Sequence, residues 1–177
     1  RAATPPLAPD LIDAELQDSD LSNLDLRKAH LRGAELTGAR LEGADLTRAI
    51  LDGAHLAGAN LAGSTLDNVR LDFLDLSGVD LSKASLFRAS LRGTNLSRSN
   101  LRYADLSQAQ LESALFDEAD LSGAKLEGTS FRGGRFDKTI MRGIEAKGAI
   151  IDGVEMTNLS LEGAVFTGVQ GDAAQLK

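Results

Sequence analysis

Residues 29–63 read AHLRG AELTG ARLEG ADLTR AILDG AHLAG ANLAG. Each group of five opens on Ala, carries Leu in third place and usually closes on Gly. One register extends from this stretch in both directions. With the third residue of each block as its centre, centres recur every five residues from Leu11 to Phe166, which makes 32 blocks over residues 9–168. Centres are Leu almost throughout, giving way to Phe116, Phe131, Phe136, Met141, Ala146, Ile151, Met156 and Phe166 toward the C-terminus. Of the 18 glycines, 16 stand two past a centre, and only Gly134 and Gly171 do not.

A five-residue period does not match the 3.6 of a helix, which would smear the leucines around its surface. Ala-x-Leu instead fits a short strand with both apolar side chains on one face. The remaining x-Gly fits a corner, because glycine accepts the positive φ of a sharp turn. Strand and corner repeated make a polygonal coil with Ala and Leu inside. Four blocks to a turn give coils of 20 residues, eight in all, stacked to about 38 Å at the spacing of parallel strands.

Composition bounds the rest. The 177 residues suit one domain. The net charge of −7 favours solubility and argues against direct nucleic-acid binding. Cysteine is absent, which excludes disulfides and thiolate metal sites. No apolar run approaches a membrane span. The chain begins on Arg rather than Met, so a removed targeting segment is allowed for and the compartment stays open.

The blocks ADLTR (44–48), ANLAG (59–63), ADLSQ (104–108) and ADLSG (119–123) resemble the A(D/N)LXX motif of the pentapeptide-repeat family. The resemblance covers about 160 residues. It implies an all-β fold, a right-handed quadrilateral parallel β-helix of about eight four-sided coils. The handedness and the four sides come from the resemblance. Three segments follow: a lead-in at 1–8 with Pro5 and Pro6, the solenoid at 9–168, and a short cap or tail at 169–177 that leaves the register.

Stacking places residue n beneath residue n + 20, which turns sequence into a surface map. One past the centre on the first face, the column runs Arg32, Asp52, Asp72, Arg92, Glu112, Arg132, Asp152. Apart from Asp52 under Asp72, vertical neighbours have opposite sign, as in a self-satisfied ladder of exposed pairs. His30 and His55 fall on different faces and coils, so they complete no metal site together. No Ser–His–Asp grouping, phosphate loop or zinc spacing occurs, and a filled coil offers no concave site. The expectation is a non-enzyme with no cofactor and no catalytic or metal-binding residues.

Binding has two candidate places. Coils four and five, residues 69–108, lose most corner glycines and carry a basic belt at 83–102. Its candidate partner residues are Phe73, Lys83, Phe87 and Arg88, followed by Arg92, Arg98, Arg102 and Tyr103; arginine and aromatic side chains are enriched at interface hot spots. The second place is the open end of coil eight, where Val154, Met156, Leu159, Leu161 and Phe166 would meet water. End-to-end homodimerisation would cover it, as the resemblance also implies.

Two functions are carried forward. One is a protein-binding scaffold or adaptor with an unidentified partner. The other, implied by the quinolone-resistance members of the family, is a DNA mimic that binds DNA gyrase or topoisomerase. Net charges per coil of −4, 0, −2, 0, +2, −4, +3 and −3 alternate in sign, whereas a DNA mimic calls for long acidic faces. The chain also has no insertion between repeats, a feature some gyrase-protecting members use.

Overall fold

The structure is a computed structural model and describes residues 8–171. The lead-in expected at 1–8 lies outside them, apart from Ala8, as do residues 172–177. The chain winds into a four-sided parallel β-helix. The residue before each centre pairs in parallel with its counterpart 20 positions on, from Asp10 with His30 to Ile150 with Gln170, except that His55 does not pair with Asp75. Only at β1 (Arg135–Asp137) and β2 (Glu155–Thr157) does this pairing lengthen into a strand. We number the faces by their centres in the first coil: Leu11, Leu16, Leu21 and Leu26.

The five-residue block closes because nearly every backbone N–H finds a partner. In the second-face block around Leu36, Leu36 donates to His55 and Gly38 to Ala57 in the coil above. Glu35 donates to Ala14 in the coil below, and Ala39 closes the turn onto the Leu36 carbonyl at 3.0 Å. The N–H one past the centre has no place in this ladder. Where the residue before the centre is Asp or Asn, its side chain takes that N–H. Asp45 accepts from Thr47, Asp80 from Ser82 and Asn60 from Ala62. The acid or amide before each centre is therefore a turn-closing group, since buried or half-buried N–H groups left unpaired are costly.

Every corner from Asp13 to Gly168 holds its third turn residue at positive φ, as a type II turn requires. Glycine supplies half of these corners. The others are filled by side chains, including Phe73 (φ 61) and Tyr103 (φ 59), in a region that L residues enter at a cost.

Inside, Leu and Ala stack in columns that are almost wholly buried from Leu26 to Val154. Where Ser or Thr replaces Ala, its hydroxyl bonds a backbone carbonyl: Thr94 donates to Leu71 O and Thr129 to Leu106 O, both at 2.8 Å. Three aromatic centres gather across coils six and seven. Phe116 stacks on Phe136 at 4.6 Å between centroids, and Phe131 meets both edge-on. Gly134 makes room for them, since a Cβ there would lie 3.2 Å from the Phe136 ring and 3.0 Å from Phe131 O. At the C-terminal end the ladder runs past 168: Val169 packs on the core and Gln170 pairs with Ile150. The register thus persists two residues beyond the expected start of the tail.

Candidate partner-binding surface

The filled interior leaves only surface features. One open depression of about 500 Å³ lies on the second face, lined by Ser77, Gly78, Asn95, Ser97, Arg98, Asp117 and Glu118. It exists because small Ser77 and Gly78 sit beneath long Arg98. Among the described residues no group of His, Cys, Asp and Glu is placed to hold a metal. His55 faces Glu35 at 3.6 Å, away from this depression.

The basic belt is largely neutralised from above. Arg92 pairs with Glu112 at 3.3 Å, Arg98 with Glu118 at 3.3 Å and Arg102 with Asp120 at 3.1 Å. The acids of coil six thus cap the arginines of coil five. Coil seven closes on both neighbours: Arg135 pairs down to Asp117 and Arg132 up to Asp152. These contacts hold Asp117 below the ordinary carboxylate range, chiefly through the Arg135 hydrogen bond. Asp120 is lowered as well, its partial burial being outweighed by hydrogen bonds from Ser122 and Arg102.

The first-face ladder forms in part. Arg92–Glu112 and Arg132–Asp152 close as rungs. Asp52 instead pairs with Arg70, and Asp72 accepts from the Arg92 backbone N–H and the Ser90 hydroxyl. A carboxylate one past the centre is reached more readily by the side chain or N–H before the next coil's turn than by the long side chain directly above.

Stacking sorts the eight candidate residues into groups. Lys83 and Tyr103 share the corner between the third and fourth faces, one coil apart. Phe87 lies on the fourth face and Arg88 on its far corner, so these four border one side of coils four and five. Lys83 and Arg88 have no carboxylate within ion-pair distance among the described residues. Arg88 donates to Gln108 at 2.8 Å and lies 4.9 Å from the Phe87 ring centroid. Phe73 stands at the diagonally opposite corner from Tyr103, and Arg92, Arg98 and Arg102 are spread over the other three sides. The eight residues therefore form a belt, of which the fourth-face four make a patch.

Both exposed aromatics rest on glycine. The Phe73 ring, 82% exposed, covers Gly93, where a Cβ would fall 2.6 Å from it. Tyr103, 58% exposed, covers Gly123 in the same way. At the C-terminal end, Met156, Leu159, Leu161 and Phe166 are partly buried, while Val154 is fully buried and adds no open apolar surface. Sequence reasoning passed over Val165, which is 52% exposed there, and the matching Ile12 (48%) and Leu24 (45%) of the first coil. It also passed over Gln108 as the partner of Arg88, which the n + 20 rule could have found.

Among the described residues, no helix is long and apolar enough to cross a membrane. The family described as Pentapeptide repeats matches in 8 copies, over residues 10–48, 44–82, 80–117, 94–133 and 104–143. HetL, a pentapeptide repeat protein involved in heterocyst differentiation regulation from the cyanobacterium Nostoc sp. strain PCC 7120, is 31% identical, with a TM-score of 0.54 over 87% of this chain and 77% of HetL. The plasmid-mediated fluoroquinolone resistance protein QnrB1 shares the fold. A trypsin-treated variant aligns at 23% identity and TM-score 0.64 over 96% of this chain and 87% of its own. Full-length QnrB1 aligns at 19% and 0.59 over 96% and 92%. No curated protein sequence matches the chain.

Proposed function

The chain belongs to the pentapeptide-repeat family of right-handed quadrilateral β-helices, and on that footing we propose that it is a non-enzymatic scaffold that binds a protein partner. The observation that carries this reading is the fourth-face patch on coils four and five. There the corner residues Lys83, Arg88 and Tyr103 stand in the left-handed region where glycine would fit at less cost. Beside them lies Phe87, and neither Lys83 nor Arg88 has a carboxylate within ion-pair distance among the described residues. Everywhere else on the belt the arginines are already engaged with coil six. A partner with an acidic, partly apolar surface matches this patch. The filled interior, which offers no enclosed site where reacting groups converge, supports the non-enzymatic reading.

The test uses a photo-crosslinking residue at Phe87, with Thr47 on the same face of coil two as control. The expected result is one protein captured from position 87 and not from 47, with capture lost in Lys83→Glu/Arg88→Glu. Equal capture at both positions, or capture that survives the charge reversal, would remove this surface from the proposal.

DNA mimicry toward gyrase is the second reading, and the acidic composition speaks for it. Against it, the acids of coil six are largely paired with arginines. Inhibition of gyrase supercoiling in the micromolar range would restore that reading. End-to-end pairing through Met156, Leu159, Leu161 and Phe166 belongs to the proposal too, and sedimentation of wild type against Leu161→Glu tests it.

A further inference from the structure

We propose that the solenoid bends at one seam, between coils three and four, and that the ion pair of Asp52 with Arg70 latches it. At the seam below, the second face is fully joined: Leu36 and Gly38 donate upward to His55 and Ala57, and His55 donates back to Ala34. Between coils three and four, within the described residues, the equivalent bonds from Leu56, Gly58 and Asp75 are absent, and the pairing of His55 with Asp75 is absent with them. On the first face Ile50 still stands opposite Arg70 in register, but the close bonds from Leu51, Gly53 and Arg70 are lost. On the third face Leu61 and Gly63 still donate to coil four. The fourth face is shut, with Leu66 donating to Ser85 at 2.7 Å, Asn68 to Phe87 at 3.0 Å and Ser85 to Ser64 at 2.9 Å. The gap is a wedge, open at the second face and closed at the fourth.

Its cause lies in the small inward positions. Coil three fills the first three with Ala49, Ala54 and Ala59, and coil four fills them with Val69, Leu74 and Val79. Parallel strands stack about 4.8 Å apart, a spacing that suits methyl on methyl better than a branched side chain. Leu74 and Ala54 are the least covered residues of the core, at 8% and 6%. The seam above coil four cannot yield, because Thr94 Oγ1 bonds Leu71 O at 2.8 Å and Asn95 and Asn100 reach down to Asp75 and Asp80. The strain therefore opens the seam below.

Across the open side, among the described residues, Arg70 with Asp52 is the one side-chain ion pair or hydrogen bond that joins the two coils. On the second face His55 turns down to Glu35, and Asp75 turns up to Asn95. The Arg70–Asp52 pair is half-exposed, so salt screens it. Coils one to three would swing as a block on the closed fourth face, directly beneath Lys83 and Phe87, changing how the lower rod lies against anything bound there.

The chain has no cysteine, so paired spin labels can be placed freely. Thr37 and Ser97 span the seam on the second face; Thr47 and Ser107 span it at the same sequence separation on the fourth. The hinge predicts a second-face distance distribution about twice as wide as the fourth-face one, broadened further by about 1 M salt or by Asp52→Asn. Leu74→Ala should narrow it. Amide exchange gives an independent reading: Leu56, Gly58 and Asp75 should exchange at least about tenfold faster than Leu36, Gly38 and His55. Equal widths together with equal exchange overturn the hinge. A wide second-face distribution that ignores both salt and Asp52→Asn overturns the latch.

Discussion

Replacing Phe73 with glycine should leave the fold about as stable as before, although it deletes the most exposed aromatic on the surface. Phe73 sits at φ 61, and a residue with a Cβ in the left-handed region costs about 1–2 kcal/mol. Glycine relieves that strain but loses about 0.5–1 kcal/mol to its freer unfolded chain. Full burial of such a side chain is worth about 1.5–3 kcal/mol. With the ring 82% exposed, its seat on Gly93 contributes only about a fifth of that, on the order of 0.4 kcal/mol. The sum runs from about 0.4 kcal/mol of loss to about 1 kcal/mol of gain. Urea unfolding measures it as a shift in midpoint at constant slope. A loss above about 1 kcal/mol would mean that the ring holds coils four and five together, and the argument that bulky corners are kept for something other than stability would fail.

Three further outcomes bear on the interior and the surface charges. Leu61→Lys places an unpaired ammonium where the native side chain is 2% exposed, and circular dichroism should show an unfolded chain; a well-folded mutant would contradict the inward assignment of the centres. Phe116→Ala removes a fully buried ring together with its stacking on Phe136, and should cost about 3–5 kcal/mol in denaturant unfolding, far more than Phe73→Gly. Acid should destabilise the protein between about pH 4 and pH 2. Asp25 is held down to about 2, chiefly by the Arg27 side chain, and Asp117 and Asp120 are lowered too. A folded-state pKa below the unfolded value gives stability that is present above the unfolded pKa and lost as pH falls through the folded one. Asp117→Asn should shrink that acid-dependent part, as thermal melts from pH 6 to pH 2 would record.

The five-residue period by itself determined the coil. Once Ala and Leu recur in one register for 32 blocks, inward columns and outward corners follow, because no helix period keeps those leucines on one face. The n + 20 rule even foretold the rungs Arg92–Glu112 and Arg132–Asp152. The period could not say which of several nearby partners a flexible charged side chain would choose, so Asp52 went to Arg70, Asp120 to Arg102 and Asp117 to Arg135. It could not distinguish a residue placed at the open end from one covered there, as Val154 shows. Nor could it reveal that Val69, Leu74 and Val79, each an ordinary apolar residue at an ordinary position, would together part the backbone ladder. Register is written in one block at a time, whereas packing strain is shared among neighbouring coils and is relieved at whichever seam has the fewest ties.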